Sequence, residues 1–214
     1  MEYKSLICGL GNPGDQYANT RHNFGFMLVD HIVALGETRK SMRLARMEES
    51  GDYELWRASF GGATCLFCKP MTYMNLSGGA VSKICGRHGL KPQQVIVAHD
   101  ELDLSVGRMK FKRGGGNNGH RGLESITECL NANDYFRLRL GIGRPQDEYK
   151  GISDWVLEPF ARNEEEVLPE IIKAAAKGLD MFLRRGVGVA QQFINSFLPE
   201  RDRQENAQEP GVDS

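Results

Sequence analysis

A short apolar run that breaks on glycine and proline and then resumes with helical spacing points to an open α/β fold. Residues 5–26, SLICGLGNPGDQYANTRHNFGF, follow that pattern. The spacing predicts a buried strand over residues 5–10, a turn over 11–14, a polar loop holding Tyr17, and a helix opening near His22 or Asn23. Phe26, Val29, Ile32 and Val33 give that helix its apolar face, and Gly36 its stop. Strands that end in such turns deliver polar side chains to the carboxyl edge of a sheet, where open α/β folds keep their ligands. Asn12, Tyr17 and His22 would share that rim. At a helix amino terminus the imidazole of His22 is expected to favour its neutral form, which a general base needs.

The rest of the chain repeats the arrangement. Two runs at residues 55–60 and 63–69, joined by Gly61-Gly62, read as a β-hairpin, so the sheet is expected to be mixed. Pro70 should end pairing, leaving Tyr73, Met74 and Asn75 between a strand end and a helix capped by Ser77 and closed by Gly89. Residues 94–98 form another strand, carrying His99, Asp100, Glu101 and Asp103 on the loop at its end. Three carboxylates so close suggest a metal at first sight, but their spacing fits no recognised ligand set, and one carboxylate orienting His22 is the better reading. Residues 37–52 are charged and weakly periodic, which predicts a surface connection with one helical turn.

Charge is local rather than global. The net charge is −1, yet residues 106–122 hold Arg108, Lys110, Lys112, Arg113 and Arg121 with no acid. Within this stretch a strand over residues 107–113 precedes a glycine-rich loop, 114–122, that ends on His120, Arg121 and Gly122 before a helix over 123–130. Such a loop suits an anion, though it lacks the Lys-Ser/Thr ending of a nucleotide-hydrolysing P-loop. A strand over 136–142 turns Arg137 and Arg139 to a basic edge. Two helices follow, the second over 187–197. Residues 1–198 are expected to form one domain, and the polar residues 199–214 a disordered tail.

Five cysteines, an odd number without a leading secretory segment, predict reduced thiols in a soluble, cytoplasmic protein. Cys65 and Cys68 form a C-x-x-C pair inside an apolar run and have no second ligand pair, so buried thiols are expected rather than zinc.

The ordered motifs GLGNPGDQYANTRHNFGF, KPMTYMNLSGGAV, VAHDELDLSVGRMKFKRGGGNNGHRGLESI and FRLRLGIGRP together resemble the bacterial peptidyl-tRNA hydrolase family over residues 6–197. The resemblance implies a single mixed, twisted β-sheet between helical layers, a monomer without metal or cofactor, and cleavage of the ester joining a peptide to the 3′ end of tRNA. It implies that His22 is the base, Asp100 its orienting carboxylate, and Asn12 the residue that tells N-blocked from free aminoacyl-tRNA. Tyr17, Tyr73 and Asn75 would contact substrate, Met74 would line the cleft, and Lys110, Lys112 and Arg139 would meet tRNA phosphates. Asn75 is also suited to stabilising a tetrahedral oxyanion. His120 completes the rim.

One position departs from the family: Arg121 stands where Gly-His-Asn-Gly is usual, and is expected to remain a substrate contact, to a phosphate or to the peptide's carbonyl, because its loop and position are unchanged. Two alternatives accompany this reading. Gly9, Gly11 and Gly14 satisfy G-x-G-x-x-G, but Asp30, at the distance of the acid a dinucleotide site needs, falls within a helical pattern. A non-catalytic RNA-binding relative on the same scaffold is the other, weighed against by His22, Asp100, Asn12 and Asn75.

Overall fold

The apolar runs become strands buried on both faces. The computed structural model describes residues 2–208. In chain order the elements are β1 (Leu6–Gly9), α1 (Phe24–Thr38), β2 (Ala45–Ser50), β3 (Tyr53–Phe60), β4 (Ala63–Pro70), α2 (Ser77–His88), β5 (Val95–Glu101), β6 (Met109–Arg113), α3 (Arg121–Leu130) and β7 (Phe136–Gly141). They are followed by α4 (Ile152–Val156), α5 (Arg162–Glu165), α6 (Leu168–Arg185), α7 (Val187–Ser196) and α8 (Glu200–Gln208). One sheet of seven strands runs in the order β2-β3-β4-β1-β5-β7-β6. Pairs β1–β4, β1–β5 and β5–β7 are parallel, while β2–β3, β3–β4 and β6–β7 are antiparallel. The expected mixed α/β sheet is therefore present.

Side chains alternate across the pleat, so each strand feeds two cores. Leu6 and Cys8 pack with Val81 and Ile84 of α2 and Leu123 and Ile126 of α3. Ile7 belongs to the opposite layer with Phe24 and Leu28 of α1, Ile171 of α6 and Ile194 of α7. Gly61 and Gly62, at φ of 59° and 76°, make the tight turn of the predicted hairpin.

A close glycine contact brings α1 onto the sheet. A Cβ on Gly25 would lie 2.3 Å from the Ala98 carbonyl oxygen, and one on Gly9 would lie 2.1 Å from that of Gly25. Only hydrogen at both positions lets α1 begin directly over β1 and β5, which seats His22 above the end of β5.

Several expectations change. Residues 37–52 contain the expected helical turn, at Lys40–Met42, but also edge strand β2, whose short charged sequence shows little alternation. Ser77 does not cap α2: it lies inside the first turn with its Oγ buried and unpartnered, and Gly78 N–H donates instead to Ser125 Oγ. The helix does close on Gly89 at φ 65°. Strand β5 runs through Glu101, so Asp100 sits on rigid sheet rather than in a loop. Residues 200–208, expected to be disordered, form α8, with Glu200 N–H donating to Glu170 Oε2 of α6; residues 209–214 lie outside the described residues. Cys65 and Cys68 are buried and unpaired, and burial pushes the Cys65 thiol up to about 12, out of reach of ionisation near neutrality. Among the described residues no helix is long and apolar enough to cross a membrane.

Candidate active site

The parallel strands β4, β1, β5 and β7 all end at one edge of the sheet, and a cleft of about 460 Å³ opens there. Asn12 follows β1, Tyr73, Met74 and Asn75 follow β4, and Asp100 ends β5. His22 comes from a turn of 3₁₀ helix, Arg21–Asn23, that leads into α1. These residues, with His120, Arg121, Lys112 and Arg139, line the cleft.

At its floor His22 Nδ1 lies 2.9 Å from Asp100 Oδ1. The ionised carboxylate only accepts, so Nδ1 carries the hydrogen, and Nε2 has no hydrogen-bond partner among the described residues of this cleft-lining ring. Asp100 is 4% exposed. Burial alone would raise its pKa, but the charges and hydrogen bonds of His22 and His120 hold it well below the ordinary carboxylate range. For His22, burial works to lower the pKa; the charge and hydrogen bond of Asp100 more than offset this, and Arg121 lowers it a little again. The net direction is up, contrary to the expectation drawn from the helix terminus, because a carboxylate at hydrogen-bond distance outweighs a partial charge.

His120 donates from Nε2 to the same Asp100 oxygen at 3.0 Å. Its Nδ1 accepts from the N–H groups of Gly122 and Leu123, at 3.2 and 3.4 Å, and so caps α3. The tautomer follows: Nδ1 is bare and Nε2 carries the hydrogen. This cap takes two of the backbone donors at the head of α3 that an anion could otherwise use. One atom from each of His22, Asp100 and His120 falls within 4.8 Å of the others, a grouping a metal ion can occupy. A metal on His120 Nε2 would displace the hydrogen that the cap requires there, so the bonding fits protons better.

Asn12 is fixed on three sides. Its Oδ1 accepts from Met74 N–H at 2.9 Å, its N–H donates to Asn23 Oδ1 at 2.8 Å, and its carbonyl accepts from Asn23 Nδ2 at 2.9 Å. With Oδ1 committed, Nδ2 is the group left for a ligand. Met74 is buried, whereas Tyr73 is 63% exposed and Asn75 is exposed on the rim.

The basic residues divide. Lys110 and Lys112 stand opposite Arg139 and Arg137 across β6 and β7, so all four share one face. Lys112 lines the cleft; burial and the charges of Arg139, Arg137 and Lys110 lower its pKa. Lys110 is exposed outside the lining. Arg139, expected to meet tRNA, is largely buried and donates to Glu101 Oε2 at 2.6 Å. Arg137 is no edge residue: 1% exposed, it donates to Gly116 O and Asn117 Oδ1 and pins the glycine-rich loop from below. Tyr17 is half-buried and does not line the cleft.

Sequence reasoning missed Asn23, adjacent to His22 but without a motif of its own, and Arg144, which lines the cleft and pairs with Asp103. It also missed the wall of Ile152, Val156 and Leu157, whose short helix carries too weak a period to read. Arg21 ties that wall down: its guanidinium lies 3.9 Å over Trp155 and pairs with Glu164. The dinucleotide alternative loses its acid, because Asp30 lies on α1 and pairs with Lys69.

An α/β sheet whose carboxyl edge presents a histidine bonded to a buried carboxylate has the arrangement of an enzyme cleft able to move a proton. The family model described as Peptidyl-tRNA hydrolase matches residues 6–205, and the chain belongs to that family. It is 54% identical over 200 residues to the peptidyl-tRNA hydrolase of Maridesulfovibrio salexigens, covering 94% of this chain and 97% of that one. It is 41% identical to that of Aquifex aeolicus, covering 92% and 97%. The crystal structure of peptidyl-tRNA hydrolase from Acinetobacter baumannii superimposes with a TM-score of 0.82 at 33% identity, over 93% of this chain and 98% of that one. These hydrolases lend no support to the non-catalytic alternative.

Proposed function

We propose that the cleft hydrolyses the ester between a peptide, or an N-blocked amino acid, and the 3′ end of tRNA, with His22 as the general base. The observation that carries this is the bond from His22 Nδ1 to buried Asp100, which leaves Nε2 bare toward the cleft. Nε2 takes a proton from water as its oxygen attacks the ester carbonyl carbon. Negative charge develops on the carbonyl oxygen, where the Asn75 amide donates. The ester bond to the ribose oxygen then breaks, and the proton on His22 passes to that oxygen. Asp100 accepts from Nδ1–H throughout and steadies the transient imidazolium.

Asn12 Nδ2 is the donor placed for the blocked amine's carbonyl, a group that a free aminoacyl-tRNA lacks. Tyr73 and Met74 line the path of the acceptor end, and Lys112, with Lys110 beyond it, draws in phosphates; Arg139 contributes less because Glu101 holds its charge. Tyr17 supports the loop that carries His22, its carbonyl accepting from Thr20 Oγ1. The protein is proposed to act as a cytoplasmic monomer without metal, recycling tRNA from aborted translation.

The test is single-turnover release of N-acetyl-amino acid from N-acetyl-aminoacyl-tRNA, alongside unblocked aminoacyl-tRNA and an EDTA arm. Release that needs the blocked amine and survives EDTA is expected. Binding of tRNA without release would overturn the reading.

A further inference from the structure

Four arginines line the cleft, and three are already occupied. Arg137 donates to Gly116 and Asn117, Arg139 to Glu101 and Arg144 to Asp103. Arg121 is exposed and has no hydrogen-bond or ion-pair partner among the described residues. It also stands in the first turn of α3, where a cation opposes the helix dipole. No acid or acceptor among the described residues pairs with it, so its side chain is free to meet an anion that enters the cleft.

Its place relative to the base is unusual. Arg121 follows His120, whose ring centroid is 5.1 Å from that of His22 and whose Nε2 shares the Asp100 oxygen with His22. The charges bearing on His22 are those of Asp100 on β5 and Arg121 at the head of α3, and the His120 ring is its titratable neighbour. Where α4 packs over the same segment, its lining residues Ile152, Ser153 and Val156 are uncharged. Arg121 is thus an exposed, unpaired positive charge that opposes the effect of Asp100 on His22.

We propose that Arg121 is a substrate-responsive charge: it takes a phosphodiester oxygen of the single-stranded acceptor end and thereby removes from His22 the positive charge that faces it in the free protein. This rests on the hydrolase reading above. In the free protein Arg121 weakens His22 as a base. Once the phosphate is seated the opposing charge is neutralised and His22 becomes the stronger base, with substrate in place. Base strength is coupled to occupancy.

The experiment is steady-state hydrolysis of N-acetyl-aminoacyl-tRNA by the full chain, by Arg121→Asn and by Arg121→Lys, across pH at fixed ionic strength and across salt at fixed pH. The kcat/KM profile reports the free protein and the kcat profile the complex. For the unmodified chain the acid limb of kcat/KM is expected at lower pH than that of kcat. In Arg121→Asn the kcat/KM limb moves up toward the kcat limb and KM rises about three- to tenfold. The slope of log kcat/KM against log salt becomes shallower by about 0.7, the loss of one single-strand phosphate contact. Arg121→Lys keeps the limbs apart and the slope. Arg121→Asn should melt no lower than the unmodified chain, because it removes a cation from the positive end of α3.

Coincident limbs in the unmodified chain, or an unchanged salt slope in Arg121→Asn, overturn the proposal; the latter with a raised KM means a peptide carbonyl is the partner. If the unmodified chain releases nothing, the hydrolase reading fails instead.

Discussion

The floor and the rim of the cleft are built on opposite principles. On the floor, polar groups are tied to one another: His22 and His120 share one oxygen of Asp100, and Asn12 is held by Asn23 and by Met74 N–H. On the rim, Tyr73, Asn75 and Arg121 are exposed, and no hydrogen bond holds their side chains among the described residues. The floor supplies fixed dipoles whose ordering cost was met on folding; the rim keeps its groups free until substrate arrives. Floor substitutions should therefore fall on kcat and those of Tyr73 and Arg121 on KM, while Asn75, a rim group that donates only to the developing oxyanion, should fall on kcat.

The largest expected effect is that of His22→Ala, a loss of about 10²–10⁴ in kcat with KM little changed, read in single-turnover release. An equal rise in KM would break the division between floor and rim. Asp100→Asn should lower the kcat plateau roughly 10- to 100-fold, by analogy with other partners that orient a working histidine. Its pH profile sharpens the point. Catalysis needs neutral His22, whose pKa is raised, so the acid limb of the unmodified chain should lie above pH 6.5. Removing Asp100 leaves burial and Arg121, which both lower that pKa, and the limb should move below 6.5. A limb that stayed put would mean that His22 is not the titrating base.

Asn23→Ala follows, with a loss of about tenfold in kcat as Asn12 is released from its fixed orientation. Here the informative readout is discrimination between blocked and unblocked aminoacyl-tRNA, which should fall in parallel if Asn23 acts through Asn12. The smallest expected effect is Tyr73→Ala, a rise of about fivefold in KM at constant kcat, the worth of one stacking surface. A drop in kcat instead would assign Tyr73 to the floor.

Much of this site was readable because its parts are local. A strand, a glycine turn and a polar residue within a few positions place Asn12, Tyr73, Asn75 and Asp100 at strand ends whatever the rest of the chain does. The family motifs then named His22 and Asp100 before any distance was known. What escaped were residues whose roles depend on neighbours far away in sequence. Arg137 looked like an outward cation until the glycine-rich loop folded over it. Arg139 looked free until Glu101 arrived on the adjoining strand. β2 was invisible because an edge strand owes its order to β3 rather than to its own pattern. Tyr17 had the right company in sequence but lies off the cleft.

By itself, then, the sequence determined the strands and turns other than β2, the mixed sheet and most of the polar groups sent to one edge, because apolar period and turn chemistry act over a few residues. Only the tertiary structure decided the charge state of those groups and which of them stay free. A pKa depends on burial and on charges from several segments at once, as His22 shows, rising where its own helix terminus alone would have lowered it. Likewise, Arg121 stands apart from Arg137, Arg139 and Arg144 because, among the described residues, no acceptor on a neighbouring strand or loop pairs with it, a difference that exists only once those neighbours are in place.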